Sequence, residues 1–358
     1  MNRRQTLIAV LGLTAAALAA PGIAPSAVAA AEIKVLNWKG YGTDEAFATA
    51  DFEKKTGIKV LHDYFTSEQE MLTKLRTSPG AYDVVLVNST YLAQAREEGL
   101  VQAVDPAAIT NLPGVSKPML DDPSVTVEGK LWGVPWVWGA TSFAYNTETI
   151  KEPITSIAAL WDPKFAGRIS FRDDAILAVN LAALLTGQDI NQPADMAVIK
   201  EKLVALKPQI RSFWASEDEW MKGMASKSFD IGVIWAGGAA RAVKLHNLPV
   251  EFVIPTEGAV GWFDTLTVAA GAPNPEGAQK FIDYMIDPDF YATWDNTSGA
   301  PVSANAAAVA KLPETAYNRA VLGKPEVVGR LKFMQPVPEE KRQEIQELWA
   351  EVKTEYAQ

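Results

Sequence analysis

Short apolar runs alternate with amphipathic stretches in the first part of the chain. Runs of strand type occupy residues 33–37, 58–65 and 82–88, and stretches with helical spacing occupy residues 43–56 and 69–77. Gly57 follows the first helical stretch, where a left-handed glycine commonly ends a helix. Ser67 and Glu70 have the spacing of a capping box at the start of the second helical stretch. Strands that alternate with helices of this length predict a parallel sheet covered on both faces.

A long apolar segment, residues 134–145, then leads into a second region with the same alternation. Strands are predicted at 168–171, 229–235, 250–254 and 266–270, and helices at 176–186, 196–206, 238–246 and 276–286. The C-terminal part is mostly of helical type. This pattern and the chain length predict an α/β protein of two lobes, and the segment 134–145 is expected to cross between them.

The N-terminus has the pattern of a cleaved signal peptide. Arg3 and Arg4 precede an apolar run over residues 7–20, and small residues at 27–31 offer several cleavage points. The run is too short for a transmembrane helix. We therefore expect residues 1–31 to direct export to the periplasm and then to be removed. The arginine pair permits the twin-arginine route, with the general secretory route as the alternative.

Composition excludes several classes of function. The chain has no cysteine, which excludes a lipoprotein anchor, a disulfide framework and thiol catalysis. Its formal charge is −10, and removal of residues 1–31, which hold two arginines and no acidic residue, would change it to −12. Such a surface repels nucleic acid. Outside the N-terminus no apolar run is long enough to insert into a membrane, so we expect a soluble mature protein.

Aromatic residues and carboxylates recur where the predicted strands end. They are Trp38 and Tyr41 after the first strand, Ser89 and Tyr91 after the third, Asp173 and Asp174 after 168–171, Trp235 at the end of 229–235, and Trp262 and Asp264 before 266–270. In open α/β sheets, ligands bind beyond the carboxyl ends of the strands. Carboxylates neutralise an ammonium group, and aromatic faces attract it by about 0.5–2 kcal/mol each. The pattern therefore predicts a site for an amine.

These residues also have structural interpretations. One of Asp173 and Asp174 is expected to cap the following helix, which leaves the other free to face the cleft. Gly237 and Gly238 fit an anion site at a helix N-terminus or a tight turn. Tryptophan commonly fills cores and lobe interfaces. The tryptophans expected to pack in this way are Trp132, Trp136, Trp161, Trp294 and Trp349.

Six short segments occur in the same order as in the periplasmic spermidine/putrescine-binding proteins, and the chain resembles that family over nearly its whole mature length. They are Asn37-Trp38-Lys39-Gly40-Tyr41, Ala81-Tyr82-Asp83-Val84-Val85 with Ser89-Thr90-Tyr91, Pro135-Trp136-Val137-Trp138-Gly139-Ala140-Thr141, Asp173-Asp174-Ala175, Ile234-Trp235-Ala236-Gly237 and Trp262-Phe263-Asp264-Thr265-Leu266. The resemblance implies a type II-like, two-lobed clamp hinged by crossing strands. It places residues 32–137 and 264–308 in the first lobe, and 138–263 and 309–358 in the second.

The resemblance also implies roles for individual residues. Asp174 and Asp264 match the amine-binding carboxylates of the family, and Gln335 matches a contact at the end of the ligand. Trp138, in one of the shared segments, is a further candidate. The residues that match the aromatic and hydroxyl wall of the family's cleft are Trp38, Tyr41, Ser89, Tyr91, Trp235 and Trp262.

Two departures from the polyamine binders bear on the ligand. Leu177 occupies the position at which the polyamine binders carry a further glutamate. Arg241 stands six residues after Trp235, where those proteins have an apolar residue. A dication needs two carboxylate ends, whereas a zwitterion needs one carboxylate and one arginine. Arg241 and Asp264 therefore suggest an ω-amino acid, which resembles the γ-aminobutyrate-binding branch of the family. A polyamine is the alternative ligand, and a solvated or lobe-bridging arginine is the alternative role for Arg241.

We expect a transport receptor that closes on a small amine-bearing solute and presents it to the permease of an ABC importer. It is expected to be a monomer, to hold no cofactor or metal, and to catalyse no reaction. The rival interpretations are a secreted hydrolase with paired carboxylates and a metal or anion receptor on the same fold. His62 and His246 lie far apart in sequence without metal-ligand spacing, which disfavours a zinc site.

Overall fold

The computed structural model describes residues 31–357, so the predicted signal peptide lies outside the described residues except for Ala31. Among the helices described, none is both long enough and apolar enough to cross a membrane. The strands are β1 (Glu32–Asn37), β2 (Lys59–Tyr64), β3 (Val84–Asn88), β4 (Val101–Gln102), β5 (Thr126–Val127), β6 (Lys130–Leu131), β7 (Val134–Asn146), β8 (Ile169–Arg172), β9 (Ile210–Trp214), β10 (Ile231–Trp235), β11 (Val250–Val253), β12 (Ala259–Ala269), β13 (Val302–Ser303) and β14 (Leu331–Phe333).

The helices cover the faces of these strands and continue to the C-terminus. They are α1 (Ala46–Thr56), α2 (Glu68–Thr77), α3 (Ser89–Glu97), α4 (Lys117–Leu120), α5 (Ala175–Thr186), α6 (Met196–Ala205), α7 (Glu217–Ala225), α8 (Ala236–His246), α9 (Pro275–Met285), α10 (Pro288–Ser298), α11 (Ala306–Lys311), α12 (Pro325–Val328) and α13 (Glu339–Ala357). As predicted, α1 ends at Gly57 with a left-handed φ of 72°. Ser67 caps α2 by accepting the Glu70 N–H, but the Glu70 carboxylate binds Thr66 instead of completing a capping box.

Within the described residues, twelve strands form one continuous mixed sheet that extends through both lobes. Its main path has the order β2-β1-β3-β12-β7-β10-β8-β9, with β4, β11, β13 and β14 joined at the sides. At one end β1 pairs in parallel with β2 and β3, and at the other β8 pairs in parallel with β9 and β10. The predicted class, a two-lobed α/β solute-binding fold with helices flanking mixed sheets, is confirmed.

Two long antiparallel strands, β7 and β12, connect the lobes side by side. One end of this pair continues into β3 and β13, and the other into β10, β11 and β14. The predicted strand at 266–270 is only the last part of β12, so Trp262 and Asp264 lie within a strand and not before one. The sequence pattern missed this because Gly261 and the polar Asp264 interrupt the apolar run, while pairing with β7 continues through them.

The apolar side chains form separate cores on the two sides of the crossing strands. The first lobe packs around residues such as Phe52, Leu86 and Phe281. The second packs around Phe171 and Leu181, with a smaller neighbouring cluster that contains Trp220. The segment predicted for the second lobe, 309–358, divides between the cores, because Leu312 and Leu322 belong to the first whereas Ile345 and Trp349 belong to the second. The lobe boundaries stay a prediction.

Candidate functional site

Asp264 lies near the middle of the molecule, on β12 opposite Asn88. A shift in pairing register between Asp264 and Thr265 interrupts the ladder with β7, the kind of irregularity that re-aims a side chain. The carboxylate is 5% exposed. Its Oδ1 accepts a hydrogen bond from Asn88 Nδ2 at 2.8 Å, and its Oδ2 accepts one from the Tyr41 hydroxyl at 2.8 Å. Among the described residues, no lysine, arginine or histidine nitrogen forms an ion pair with it.

Burial of Asp264 raises the pKa of its carboxyl to about 6, although the hydrogen bonds from Asn88 and Tyr41 act in the opposite direction. Desolvation thus outweighs the two donors, because neither of them carries a positive charge. The pKa of Tyr41 is raised well above its ordinary value, first by burial and then by the Asp264 charge. The arrangement is a buried anion with polar support and no counter-charge, and a bound cation would supply that charge.

Aromatic rings surround this carboxylate on the first-lobe side. Tyr41 is held edge-on against Trp136 and Trp294, with ring centroids 5.6 and 6.1 Å away. Trp38 lies edge-on to Phe65 at 4.5 Å. As predicted for packing residues, Trp136 and Trp294 are buried. Their rings fix the phenol of Tyr41, and so they position the hydroxyl that binds Asp264.

Trp138 and Trp262 occupy the crossing strands themselves. The Trp262 indole N–H donates to the Thr141 hydroxyl at 3.0 Å. Its ring lies against the backbone of Gly139, where a Cβ would come within 2.5 Å of a ring carbon. Trp138 is buried, with its ring edge-on to that of Phe333 at 6.3 Å. Phe333 was not among the predicted residues, because its segment carries no periodic pattern.

Ser89 and Tyr91 stand where β3 passes into α3. Ser89 is 1% exposed, and its buried Oγ has no hydrogen-bond partner in the described structure. The guanidinium of Arg342, on α13 of the second lobe, lies over the Tyr91 ring at 4.4 Å from its centroid. The two lobes therefore meet at Tyr91. Sequence reasoning missed Arg342, whose helix is far along the chain and outside the shared segments.

The two aspartates after β8 are both engaged. Asp174 caps α5, because its Oδ1 accepts the Leu177 N–H at 3.0 Å. Its Oδ2 lies 3.8 Å from the Arg172 guanidinium. Asp173 binds Lys353 and the indole of Trp349, so it turns towards α13 and away from a role in a cleft. The expectation that one aspartate caps the helix is met by Asp174, the residue that was also expected to bind the ligand.

Trp235, the last residue of β10, carries a stacked cation. The Arg172 guanidinium lies over its ring at 5.1 Å, and the Trp214 ring is 5.5 Å away. Arg172 is a residue that the sequence analysis did not select. It could have been found from its position directly after the apolar part of the strand, next to Asp173.

Arg241 is bound within the protein. Its Nε and Nη2 donate to the two carboxylate oxygens of Glu217 at 2.7 and 2.5 Å, and its Nη1 donates to the carbonyl of Gly299 in the first lobe at 3.5 Å. This is the lobe-bridging arrangement that the sequence left open. The Arg241 charge opposes the rise in the pKa of Tyr41, so the guanidinium acts on the Asp264 region. Its predicted role in holding a ligand carboxylate stays a prediction.

Gln335 is exposed, and its backbone N–H donates to the Asn191 side chain at 2.8 Å. This contact anchors the segment after β14 to the second lobe and does not involve the glutamine side chain. A ligand contact from Gln335 stays a prediction.

Glu68 is a further acidic group of the same region that sequence reasoning missed. It is the first residue of α2, and its Oε2 is buried without a hydrogen-bond partner. Burial, followed by the charge of Asp264, raises the pKa of Glu68 to about 8, while Arg342 and Arg172 act in the opposite direction. The sequence offered only one signal, a glutamate directly after the cap Ser67, and exposed helix starts commonly have an acid there.

These residues make up the candidate interlobe site. The first lobe contributes Trp38, Tyr41, Glu68, Asn88, Ser89, Tyr91 and Asp264, and the second contributes Arg172, Asp174, Trp235, Arg241 and Arg342. A separate cavity of about 770 Å³ is lined by residues between 149 and 168 and contains none of them. Among the described residues, no cluster of three or more histidine or acidic side chains could hold a metal ion. The fold and the cleft together define a two-lobed ligand-binding protein.

Comparison with known proteins gives the family. The model of the bacterial extracellular solute-binding proteins matches residues 48–320. The spermidine/putrescine-binding periplasmic protein of Salmonella typhimurium is 30% identical over 292 residues, which are 80% of this chain and 82% of the relative. The spermidine/putrescine-binding periplasmic protein 1 of Haemophilus influenzae is 36% identical over 242 residues, which are 66% of this chain and 66% of the relative. The chain belongs to the bacterial extracellular solute-binding protein family.

Solved structures agree on the fold. The substrate-binding protein PotD of a Streptococcus pneumoniae spermidine/putrescine ABC transporter superposes with a TM-score of 0.82 at 22% identity, over 91% of this chain and 99% of that one. The Atu4243-GABA receptor superposes with a TM-score of 0.73 at 22% identity, over 90% and 97%. These likenesses bear on the fold alone, and it is the family membership that makes the chain a solute-binding receptor and not an enzyme, as the sequence predicts.

Proposed function

We propose that this protein is the periplasmic receptor of an ABC importer and that it captures a small solute carrying a primary ammonium group. The observation that carries the proposal is the Asp264 carboxylate, which is buried, supported by Tyr41 and Asn88, and lacks a cationic partner among the described residues. An ammonium group would remove the cost of this uncompensated charge. The names of the curated relatives, which refer to periplasmic amine binding, support the same assignment.

The charges on the second-lobe side favour a zwitterion such as γ-aminobutyrate or a similar ω-amino acid. The charges of Arg172 and Arg342 both oppose the rise in the pKa of Glu68, and the charge of Arg241 opposes the rise in the pKa of Tyr41. Three guanidinium groups would repel the second ammonium of a diamine, whereas a carboxylate would bind them, in two-pronged geometry where it is free to do so. Because Arg241 already holds Glu217, a ligand carboxylate would have to share or displace that partner.

A polyamine is the second candidate, and specific observations favour it. Glu68 and Asp174 are further carboxylates of the candidate site, and both relatives described above are named for spermidine and putrescine. Leu177, whose backbone N–H binds Asp174, provides no additional acid. The two candidates therefore differ in whether the far end of the solute meets a carboxylate or an arginine.

Capture is proposed to occur by closure of the lobes about β7 and β12. Contacts that join the lobes are present on α8, where Arg241 reaches the Gly299 carbonyl and Lys244 binds the carbonyl of Asp295. Closure removes water from the cleft, which strengthens each charge pair. An ill-matched solute would leave a buried charge unpaired, and the resulting penalty gives selectivity.

The proposal is tested by calorimetry with the purified mature protein and three solutes of similar length: γ-aminobutyrate, putrescine and butylamine. We expect γ-aminobutyrate to bind most tightly. Tight binding of putrescine without binding of γ-aminobutyrate would establish the polyamine alternative. Absence of binding by all amines, with a folded protein, would refute the proposed function.

A further inference from the structure

We propose that Glu68 is a second ammonium-binding carboxylate of the cleft, so that the amine of the solute lies between Glu68 and Asp264. The inference rests on the proposed function and names a residue that the family resemblance did not supply. Its first support is geometric, since Glu68 begins α2 and its Oε2 is withdrawn from water without a hydrogen-bond partner among residues 31–357. A carboxylate oxygen left in this state costs free energy unless a donor reaches it.

The neighbouring charges place Glu68 in the cleft and not on the outer face of its helix. The groups that act on it or respond to it are Asp264 on β12, Tyr41 after β1, Tyr91 on α3, Arg172 on β8 and Arg342 on α13. These groups come from both lobes. Glu68 therefore faces the space that closure would enclose, on the side of the first lobe.

The second support is the unpartnered hydroxyl of Ser89. Ser89 is 1% exposed, directly follows the Asn88 that binds Asp264, and has a buried Oγ without a partner. A primary ammonium group has three N–H donors. Asp264 can accept one of them, and Glu68 and Ser89 offer oxygens for the others.

A proton accompanies this arrangement. Burial and the Asp264 charge raise the pKa of Glu68 to about 8 in the ligand-free protein, so at pH 7 the carboxyl is mostly protonated. An ammonium group placed beside it favours the ionised form. The O–H bond of Glu68 is then broken, its proton passes to solvent, and the carboxylate retains the electron pair and binds the ammonium. Asp264, with a pKa of about 6, is mostly ionised at pH 7 and contributes less to the released proton.

Glu70 provides a matched control on the same helix. Its carboxylate binds the backbone N–H and hydroxyl of Thr66 and lies 3.6 Å from Lys74, so it is engaged outside the cleft. Glu68→Gln and Glu70→Gln remove the same kind of ionisable group from the first turn of α2. They differ in whether the side chain faces the solute.

The experiment is calorimetry of wild type, Glu68→Gln and Glu70→Gln with γ-aminobutyrate, butylamine and putrescine, in two buffers of different ionisation enthalpy at pH 7. For each amine that wild type binds, Glu68→Gln is expected to weaken binding about ten-fold or more. Glu70→Gln should change it by about two-fold or less. Proton release on binding, seen as a buffer-dependent heat, should occur in wild type and Glu70→Gln and disappear in Glu68→Gln.

The outcomes separate this inference from the proposed function. Unchanged affinity and unchanged proton release in Glu68→Gln, together with amine binding by wild type, would overturn the role of Glu68 and leave the receptor assignment in place. No binding of any amine by wild type would overturn both. If Glu68→Gln does not fold, the wild-type heats still decide, because binding without buffer dependence at pH 7 would contradict a protonated Glu68.

Discussion

The first-lobe side and the second-lobe side of the cleft, its two walls, differ in whether their charged groups already have partners in the protein. On the first-lobe wall, Asp264 is supported by neutral donors, and Glu68 has a buried oxygen with no partner. On the second-lobe wall, three charged groups already have partners within the protein, while the buried Nε of Arg342 has no hydrogen-bond partner among the described residues. Arg241 holds Glu217, Asp174 caps α5, and Arg172 is stacked on Trp235.

This difference assigns separate tasks to the lobes. A wall whose buried Asp264 carboxylate has no cationic partner among the described residues is organised for a cation before the solute arrives, so it can bind the ammonium end with little rearrangement. A wall of satisfied arginines must exchange one partner for another, which makes its gain in binding smaller and more dependent on the solute. The first lobe is thus expected to supply most of the affinity, and the second lobe most of the discrimination between solutes.

The largest effect is expected from Asp264→Asn. Its amide keeps the shape and can still contact Tyr41 and Asn88, but it cannot neutralise an ammonium group. Binding of every amine should weaken by about 2–5 kcal/mol, as for removal of one partner of a desolvated charge pair. Calorimetry measures the loss, and Asp121→Asn, at an exposed ion pair with Lys117, is the control. Unchanged affinity would move the ammonium site away from the first-lobe wall.

A smaller, solute-dependent effect is expected from Arg241→Met. If a ligand carboxylate shares the guanidinium with Glu217, γ-aminobutyrate should lose on the order of 1–3 kcal/mol, as for a hydrogen bond to a charged group. Butylamine, which has no carboxylate, should bind wild type and variant alike. The quantity measured is the ratio of the two affinities in each protein.

Arg172→Met is the companion variant, because the Arg172 guanidinium lies over the Trp235 ring and 3.8 Å from Asp174. If the ratio of the γ-aminobutyrate and butylamine affinities changes only in Arg172→Met, the ligand carboxylate binds Arg172. A ratio that changes in neither variant would remove the main support for a zwitterion. Either result would sharpen the contrast between a wall that binds and a wall that discriminates.

Much of the fold could be predicted because it follows local patterns. Apolar runs and helix terminators such as Gly57 gave the strand–helix alternation of both lobes. The extent of β12 could not be predicted, since its pairing with β7 depends on residues more than a hundred positions away in the chain. The position of α13 could not be predicted either, although its Trp349 packs in the core of the second lobe.

The candidate site was predicted in its first-lobe part and less well in its second. Tyr41, Ser89 and Asp264 lie at strand ends or within the crossing strands, so sheet topology brings them together. The partners of Arg241 and Asp173 come from α7, α10 and α13, which no local pattern connects to them. Glu68 was missed because its burial results from the approach of the other lobe.

The crossing strands that join the two walls give a prediction of stability. Gly139→Ala would add a Cβ about 2.5 Å from a ring carbon of Trp262, so the indole must move. Overpacking of this kind costs on the order of 1–3 kcal/mol, and the shift would also break the bond from Trp262 to Thr141. Chemical denaturation measures the loss. Gly237→Ala is the control, because φ is not positive there and an added Cβ would have no contact closer than 3.5 Å.

The smallest effect expected is the pH dependence of the ligand-free protein. Glu68 and Asp264 have pKa values raised to about 8 and about 6 by burial. For a carboxyl with a raised pKa, the folded state keeps a proton that the unfolded state has lost, so stability falls as pH rises towards the folded pKa. The pKa of His62 is lowered by burial, and its contribution to stability is lost only as pH falls below its ordinary value.

Between about pH 6.5 and 8, Glu68 should therefore dominate, and the free energy of unfolding should fall by less than about 1.4 kcal/mol per pH unit, the limit for one proton. Denaturation of wild type and Glu68→Gln at both ends of this interval measures the difference. Because glutamine cannot ionise, the variant should lose less stability over the interval, and Glu70→Gln should behave as wild type does. A saturating amine should remove the fall in wild type, since the bound ammonium supplies the charge that the first-lobe wall lacks. Equal slopes in all three proteins would mean that the Glu68 carboxyl is already ionised across this interval, and the uncompensated charge of that wall would then belong to Glu68 and Asp264 together.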